Sequence, residues 1–108
     1  MGQAERDGDV WRLYRGQELV GEIRGAHFYA MFRTEGQFHP RDFFEQDLRA
    51  LFEDASEGLR TGDFERSGRA SRIILETLTL TDPDGAPVPL FNLVIEGDSA
   101  RFRLKRAD

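Results

Sequence analysis

Hydrophobic and polar residues alternate along the first third of the chain, which is typical of β-strands. The segments 11–14 and 19–23 show this alternation, and a short turn at Gly16 separates them. A third alternating run, 27–33, follows Gly25. Together they predict a three-stranded meander, followed by a loop over residues 34–40.

The spacing of the apolar residues changes to that of a helix across residues 44–59, and acidic residues occupy the opposite face. Pro40 suits the first turn, and Asp42 with Glu45 three residues later resembles a capping box. Gly58 is the predicted end. Because several large apolar side chains lie on one face, we expect this helix to be the central element of the core.

The stretch 61–80 fits both helical and strand periodicity, so its secondary structure is ambiguous. We divide it into a helix over 63–75 and a strand over 77–81. The first part is rich in Arg and Glu, whereas the second is rich in β-branched residues. The helix is predicted even though Gly68 costs it about 1 kcal/mol.

The last quarter of the chain predicts a turn at residues 82–85 and then two further strands, 91–95 and 101–105, with a tight turn between them at Gly97. The order βββ-αα-βββ predicts an α+β fold. Its simplest form is an antiparallel sheet of about six strands with a helical hairpin packed on one face. The length of 108 residues predicts a single domain, and we expect residues 1–8 to be a flexible N-terminus.

Two strand segments and two turns, each turn leading into a further strand, stand out within this pattern. They are Trp11-Arg12-Leu13, Glu18-Leu19-Val20-Gly21-Glu22-Ile23, Asp82-Pro83-Asp84-Gly85 before Pro87-Val88-Pro89, and Glu96-Gly97-Asp98 before Arg101-Phe102-Arg103. They resemble landmarks of small uncharacterised bacterial proteins of high-GC genomes, and they span nearly the whole chain. The resemblance implies a helix over 63–75, and it implies no function because no activity is assigned to that group.

The absence of cysteine excludes disulfides and thiolate metal sites, and it gives no indication of an oxidising compartment. The start of the chain is polar, and no apolar run approaches the ~18 residues of a membrane span. We therefore expect a cytoplasmic protein with no membrane partner.

The net charge of −5 argues against a general nucleic-acid binder. The charge is unevenly distributed, with acidic residues concentrated in 42–57 and a basic stretch formed by Arg101, Arg103, Lys105 and Arg106. This asymmetry could orient a partner. A solvated helix face and a charged edge strand explain it equally well.

Catalytic chemistry finds little support in the sequence. No serine lies in a nucleophile elbow, and there is no glycine-rich phosphate loop. A metal site would need His27 and His39 together with Glu35 or Asp42, and their spacing matches no metal-binding motif. We therefore expect a non-enzymatic protein without metal or cofactor.

What remains is the surface of the predicted sheet. If apolar positions that include Leu13, Ile23, Phe28, Phe91 and Phe102 face the helices, the open face presents Val20 together with side chains that are common in protein interfaces. The candidate binding residues on this face are Tyr14, Tyr29, Met31, Arg33, Arg101 and Arg103.

Three interpretations of this face remain open. It could bind a protein partner or a second copy, by sheet stacking or edge pairing. It could bind single-stranded nucleic acid, which the net charge makes the less favoured alternative. It could also be an ordinary exposed face. The sequence thus predicts a protein-binding or regulatory module that can form a homodimer.

Overall fold

The computed structural model describes residues 9–30, 33–41 and 43–105, without the side chains of residues 29 and 30. Its strands are β1 (Trp11–Arg15), β2 (Glu18–Ala30), β3 (Arg33–Pro40), β4 (Leu78–Thr81), β5 (Pro87–Val88), β6 (Leu90–Glu96) and β7 (Ser99–Leu104). A π-helical turn (Phe44–Leu48) leads into α1 (Arg49–Thr61), and α2 (Phe64–Thr77) follows. The predicted α+β fold with helices packed on an antiparallel sheet is confirmed. None of the helices in the described part of the chain is long and apolar enough to cross a membrane.

All seven strands form one antiparallel sheet in the order β5-β4-β1-β2-β3-β7-β6. Trp11 on β1 and Phe102 on β7 are three ladders apart, which would separate them by ~14 Å in a flat sheet. Their ring centroids lie 4.9 Å apart. The sheet is therefore strongly curled. Its two edge strands, β5 and β6, lie at opposite ends of the strand order, although only Pro89 separates them in sequence.

The helices cover the concave, inner face of the sheet. Phe44 and Phe52 enter the core beside Phe38 of β3, with ring centroids 4.7 Å apart for Phe38 and Phe44 and 5.6 Å apart for Phe44 and Phe52. Ile74 of α2 belongs to the same buried cluster. Burial of each such side chain contributes about 1.5–3 kcal/mol, so the helices and the sheet stabilise one another.

The predicted third strand and the loop after it are wrong. Gly25, with φ of 64°, does not end β2, which continues to Ala30 through an irregularity between Arg24 and His27. A glycine with positive φ fits a bulge as well as a turn, so the sequence did not distinguish them. The polar segment 33–40 is a full strand held between two neighbours.

The helix boundaries differ from the prediction at both ends of the first helical segment. It begins with the π-helical turn, whose N-cap residue Phe43 makes no side-chain capping bond, and Asp42 lies outside the described residues. It continues past Gly58 to Thr61, and Gly62 caps it with φ of 83°. The second predicted helix is confirmed.

The C-terminal part follows the prediction with one added strand. The carboxylate of Asp82 accepts hydrogen bonds from the backbone N–H groups of Asp84 and Ala86, which fixes the predicted turn. Strand β5 then pairs with β4, so the sheet has seven strands rather than six.

Two aromatic residues predicted to face the helices lie at the surface instead. Phe28 is 66% exposed and Phe91 is 54% exposed. Phe91 is the extra residue at a register shift between Leu90 and Asn92, and such a bulge changes the direction of a side chain.

Candidate binding site

The four predicted binding residues whose side chains the structure describes fall on the outer, convex face of the sheet, but they do not form one cluster. Arg33 on β3 lies directly opposite Arg103 on β7, with Arg101 on the same face two residues away. Tyr14 lies on β1 between Leu19 and Thr79, with β2 between it and Arg33 and with both β2 and β3 between it and the two arginines of β7. The side chain of Tyr29 lies outside the described part of the structure, as does Met31 altogether.

A carboxylate neutralises part of the positive charge on this outer face. Glu22 has a side chain only 12% exposed, and its oxygens lie within 4.0 Å of guanidinium nitrogens of Arg12, Arg24 and Arg41. The hydrogen bond from Arg24, 2.8 Å long, is the main reason that the pKa of Glu22 is lowered from its ordinary value. These three arginines therefore form an ion-pair network.

The arginines on β7 are also engaged. Arg101 donates a 3.0 Å hydrogen bond to Glu96, and it lies opposite Glu35 in the ladder. The guanidinium of Arg103 lies over the ring of Phe91, 5.0 Å from its centroid. Its Nε is buried and makes no hydrogen bond within the part of the chain that the structure describes. These contacts hold the β7 side chains towards the β6 edge.

The two histidines line one shallow depression on the outer face. His27 lies opposite Glu35 on β3, and His39 lies four residues further along β3, opposite Glu22. Within the described ranges, no group of three or more histidine, aspartate or glutamate side chains is arranged to hold a metal ion. The fourth candidate ligand, Asp42, lies outside those ranges.

A groove separates the free edge of β6 from the helical hairpin, and the sequence did not predict it. Its volume is about 390 Å³. We name it the edge groove, and we define it by Leu59 of α1, Ile74 and Leu75 of α2, Phe91 and Val94 of β6, and Arg101. Its size lies within the range of small ligand sites.

Large apolar side chains surround the edge groove without being buried in it. Leu59 is 61% exposed, Phe91 is 54% exposed and Leu75 is 36% exposed. Isolated apolar residues are common on protein surfaces, whereas several around one depression indicate a contact surface. The ion pair Arg101–Glu96 lies at its rim, as does Arg60, which is paired with Glu57 outside the groove.

Among the described residues, the backbone at the floor of the edge groove has a partner strand on one side only. Strand β6 is the last strand of the sheet beside β7. Within the described residues, no hydrogen bond joins the backbone of 91–96 to the helices. The groove therefore combines apolar side chains with backbone donors and acceptors that another strand could use.

Sequence periodicity could not reveal the edge groove because its apolar residues look like core residues. Leu59 and Leu75 fit the helical apolar pattern, and Phe91 fits the strand alternation. The only available signal was the surplus of aromatic and aliphatic residues over what a sheet with two helices can bury.

Comparisons with protein-family models, with curated proteins and with solved structures find no match for this chain.

Proposed function

We propose that the protein is a protein-binding module that self-associates through the edge groove. The observation that carries this proposal is the grouping of exposed Leu59, Leu75 and Phe91 beside an edge of β6 that no other described strand pairs with. Aromatic and aliphatic groups at the centre of a contact supply most of its binding energy. An unpaired strand adds directional hydrogen bonds to that contact.

A second copy is the simplest partner for such a surface. Most soluble oligomers are symmetric, and a two-fold interface uses the same patch on both subunits. The edge groove presents both an apolar surface and a strand edge, so two copies can supply each other with what each one lacks.

Single-stranded nucleic acid has weaker support as a ligand. The outer-face arginines share that face with Glu22, Glu35 and Glu96, which reduces the positive charge available to phosphates. No observation on the outer face favours this function over self-association.

The proposal is tested by sedimentation velocity over a range of protein concentrations. We expect reversible dimerisation of the natural chain and a dissociation constant at least about tenfold higher for Leu75→Glu, because a charge placed in an apolar contact must be desolvated. Ile73→Glu is the matched control, since Ile73 is 42% exposed on the same helix and does not line the edge groove.

Circular dichroism establishes that both variants keep the fold. If Ile73→Glu and Leu75→Glu weaken dimerisation equally, the contact between the copies lies outside the edge groove. A natural chain that remains monomeric at every concentration tested would overturn self-association.

A further inference from the structure

We infer that two copies join antiparallel through β6, with the two-fold axis at Val94, an inference that rests on the proposed self-association. Strand β6 pairs regularly with β7 only from Asn92 to Glu96, because the register shift at Phe91 interrupts the ladder. Val94 is the midpoint of this regular segment. In an antiparallel pair centred on Val94, every residue of this segment lies opposite a residue of the same segment in the second copy.

The two edges of the sheet differ in how they are protected from pairing. The other edge strand, β5, has two residues, and it begins with Pro87 and is followed by Pro89. Short length and proline are the usual protections of an edge against pairing. The regular segment of β6 contains no proline or lysine, and its central residue is Val94. Of the two edges, β6 is therefore the one suited to accept a strand.

The polar side chains on the outer face favour the antiparallel arrangement. At one end of the regular segment lies Glu96, and at the other end Asn92 lies opposite Arg103 of β7. Centring the pair on Val94 places Glu96 opposite Asn92 of the second copy, with Arg103 of that copy beyond Asn92 on the next strand. The amide of Asn92 can donate a hydrogen bond to the carboxylate of Glu96, and no like charges lie directly opposite each other. Because of the two-fold symmetry, each contact occurs twice.

Other registers fit the same side chains less well. Moving the axis to Leu93 places Glu96 opposite Leu90 of the second copy. Moving it to Ile95 places Glu96 opposite Val94, and it leaves Asn92 opposite the turn residue Asp98. Either shift also shortens the regular ladder, so the register centred on Val94 gives both the longest pairing and the best match of polar side chains.

The same register accounts for the exposed apolar side chains of the edge groove. Both helices pack on the inner face of β6, so joining two β6 strands places the two helical hairpins on the same side of one continuous sheet. Leu59 and Leu75 lie on the side of the hairpin that borders this edge. They would cover the corresponding residues of the second copy across the two-fold axis.

Site-specific disulfide formation tests this register directly, since the natural chain contains no cysteine. A residue on a two-fold axis lies opposite its own counterpart, so Val94→Cys should form a covalent dimer under mild oxidation. Gln17→Cys is the control, because Gln17 is exposed at the β1–β2 turn, away from the edge groove. We expect at least about tenfold more covalent dimer from Val94→Cys, because disulfides require Cβ atoms about 4 Å apart.

An equimolar mixture of two further variants tests the pairing of the outer positions. Asn92→Cys and Glu96→Cys, carrying tags of different mass, should yield mainly the mixed covalent dimer. A natural chain that dimerises while a cysteine at another β6 position cross-links better than Val94→Cys would overturn the register and leave self-association standing. A natural chain that stays monomeric would overturn both.

Discussion

Among single residues, Glu22 carries the clearest electrostatic contribution to stability. It is held by three arginines on the outer face, and the hydrogen bond from Arg24 lowers its pKa in the folded chain below the ordinary value of 4.5. A carboxyl whose pKa is lower when folded contributes stability that is present above its unfolded pKa. That contribution is lost as the pH falls through the folded pKa.

We therefore expect Glu22→Gln to lower the free energy of unfolding by about 1 kcal/mol at pH 7, because the charged hydrogen bonds to arginine are weakened. The difference from the natural chain should shrink as the pH falls below 4.5. Urea denaturation at neutral and acidic pH measures both values. Glu76→Gln, at an exposed position on α2, serves as the control. An equal difference at both pH values would contradict the electrostatic explanation.

At the same scale, side-chain direction was predictable wherever a strand is regular. Leu13, Ile23 and Phe102 were expected to face the helices, and all three are buried. Val20 was assigned to the open face, yet it is fully buried at the register shift where β1 meets β2. Register shifts reverse the alternation locally, and a sequence does not show where the partner strand changes register.

At the scale of the helices, Gly58 determines how closely α1 and α2 pack. A β-carbon there would lie 2.7 Å from the backbone nitrogen of Ser67 and 2.8 Å from the carbonyl oxygen of Asp63. The hydroxyl of Ser67 also donates a 2.7 Å hydrogen bond to the carbonyl of Ala55. The backbones of the hairpin therefore approach within a distance that excludes any side chain at Gly58.

Gly58→Ala should destabilise the protein by about 1–3 kcal/mol, since the helices must separate to admit the added methyl group. Gly68→Ala on α2 is the matched control, because a β-carbon there meets nothing within 4 Å. It should stabilise the helix by about 0.5–1 kcal/mol. Chemical denaturation of both variants measures these opposite shifts, and destabilisation by Gly68→Ala as well would contradict the packing argument.

Glycine can end a helix or allow two helices to pack closely, and these two roles explain why the helix boundaries were only partly predictable. Gly58 was interpreted as a helix end, but it is a packing position, whereas Gly62 is the true C-terminal cap. The second helix and the strands on either side of Gly97 were predicted correctly because their patterns are regular and their turns have strong local signals. Strand β3 was missed because its polar residues reflect an outer face, which only the tertiary structure defines.

At the scale of the whole molecule, the curl of the sheet and the helices that fill it depend on each other. Trp11 contacts Phe102 across the inside of the curl, and Phe44, Phe52 and Ile74 fill the remaining space. The edge groove lies where the helices meet β6. Alternation patterns predict the faces of strands but not the curvature of a sheet, so neither the curl nor the groove could be predicted from the sequence.

This mutual dependence predicts cooperative unfolding. Trp11, the only tryptophan, reports on the inside of the sheet through its fluorescence, whereas far-ultraviolet circular dichroism is dominated by the two helices. We expect the two signals to change at the same urea concentration, because neither layer retains a core without the other. Phe52→Ala should shift both transitions together by about 3–5 kcal/mol in stability, although Phe52 lies on a helix. A helical signal that persists after the Trp11 transition would show instead that the hairpin is stable without the sheet.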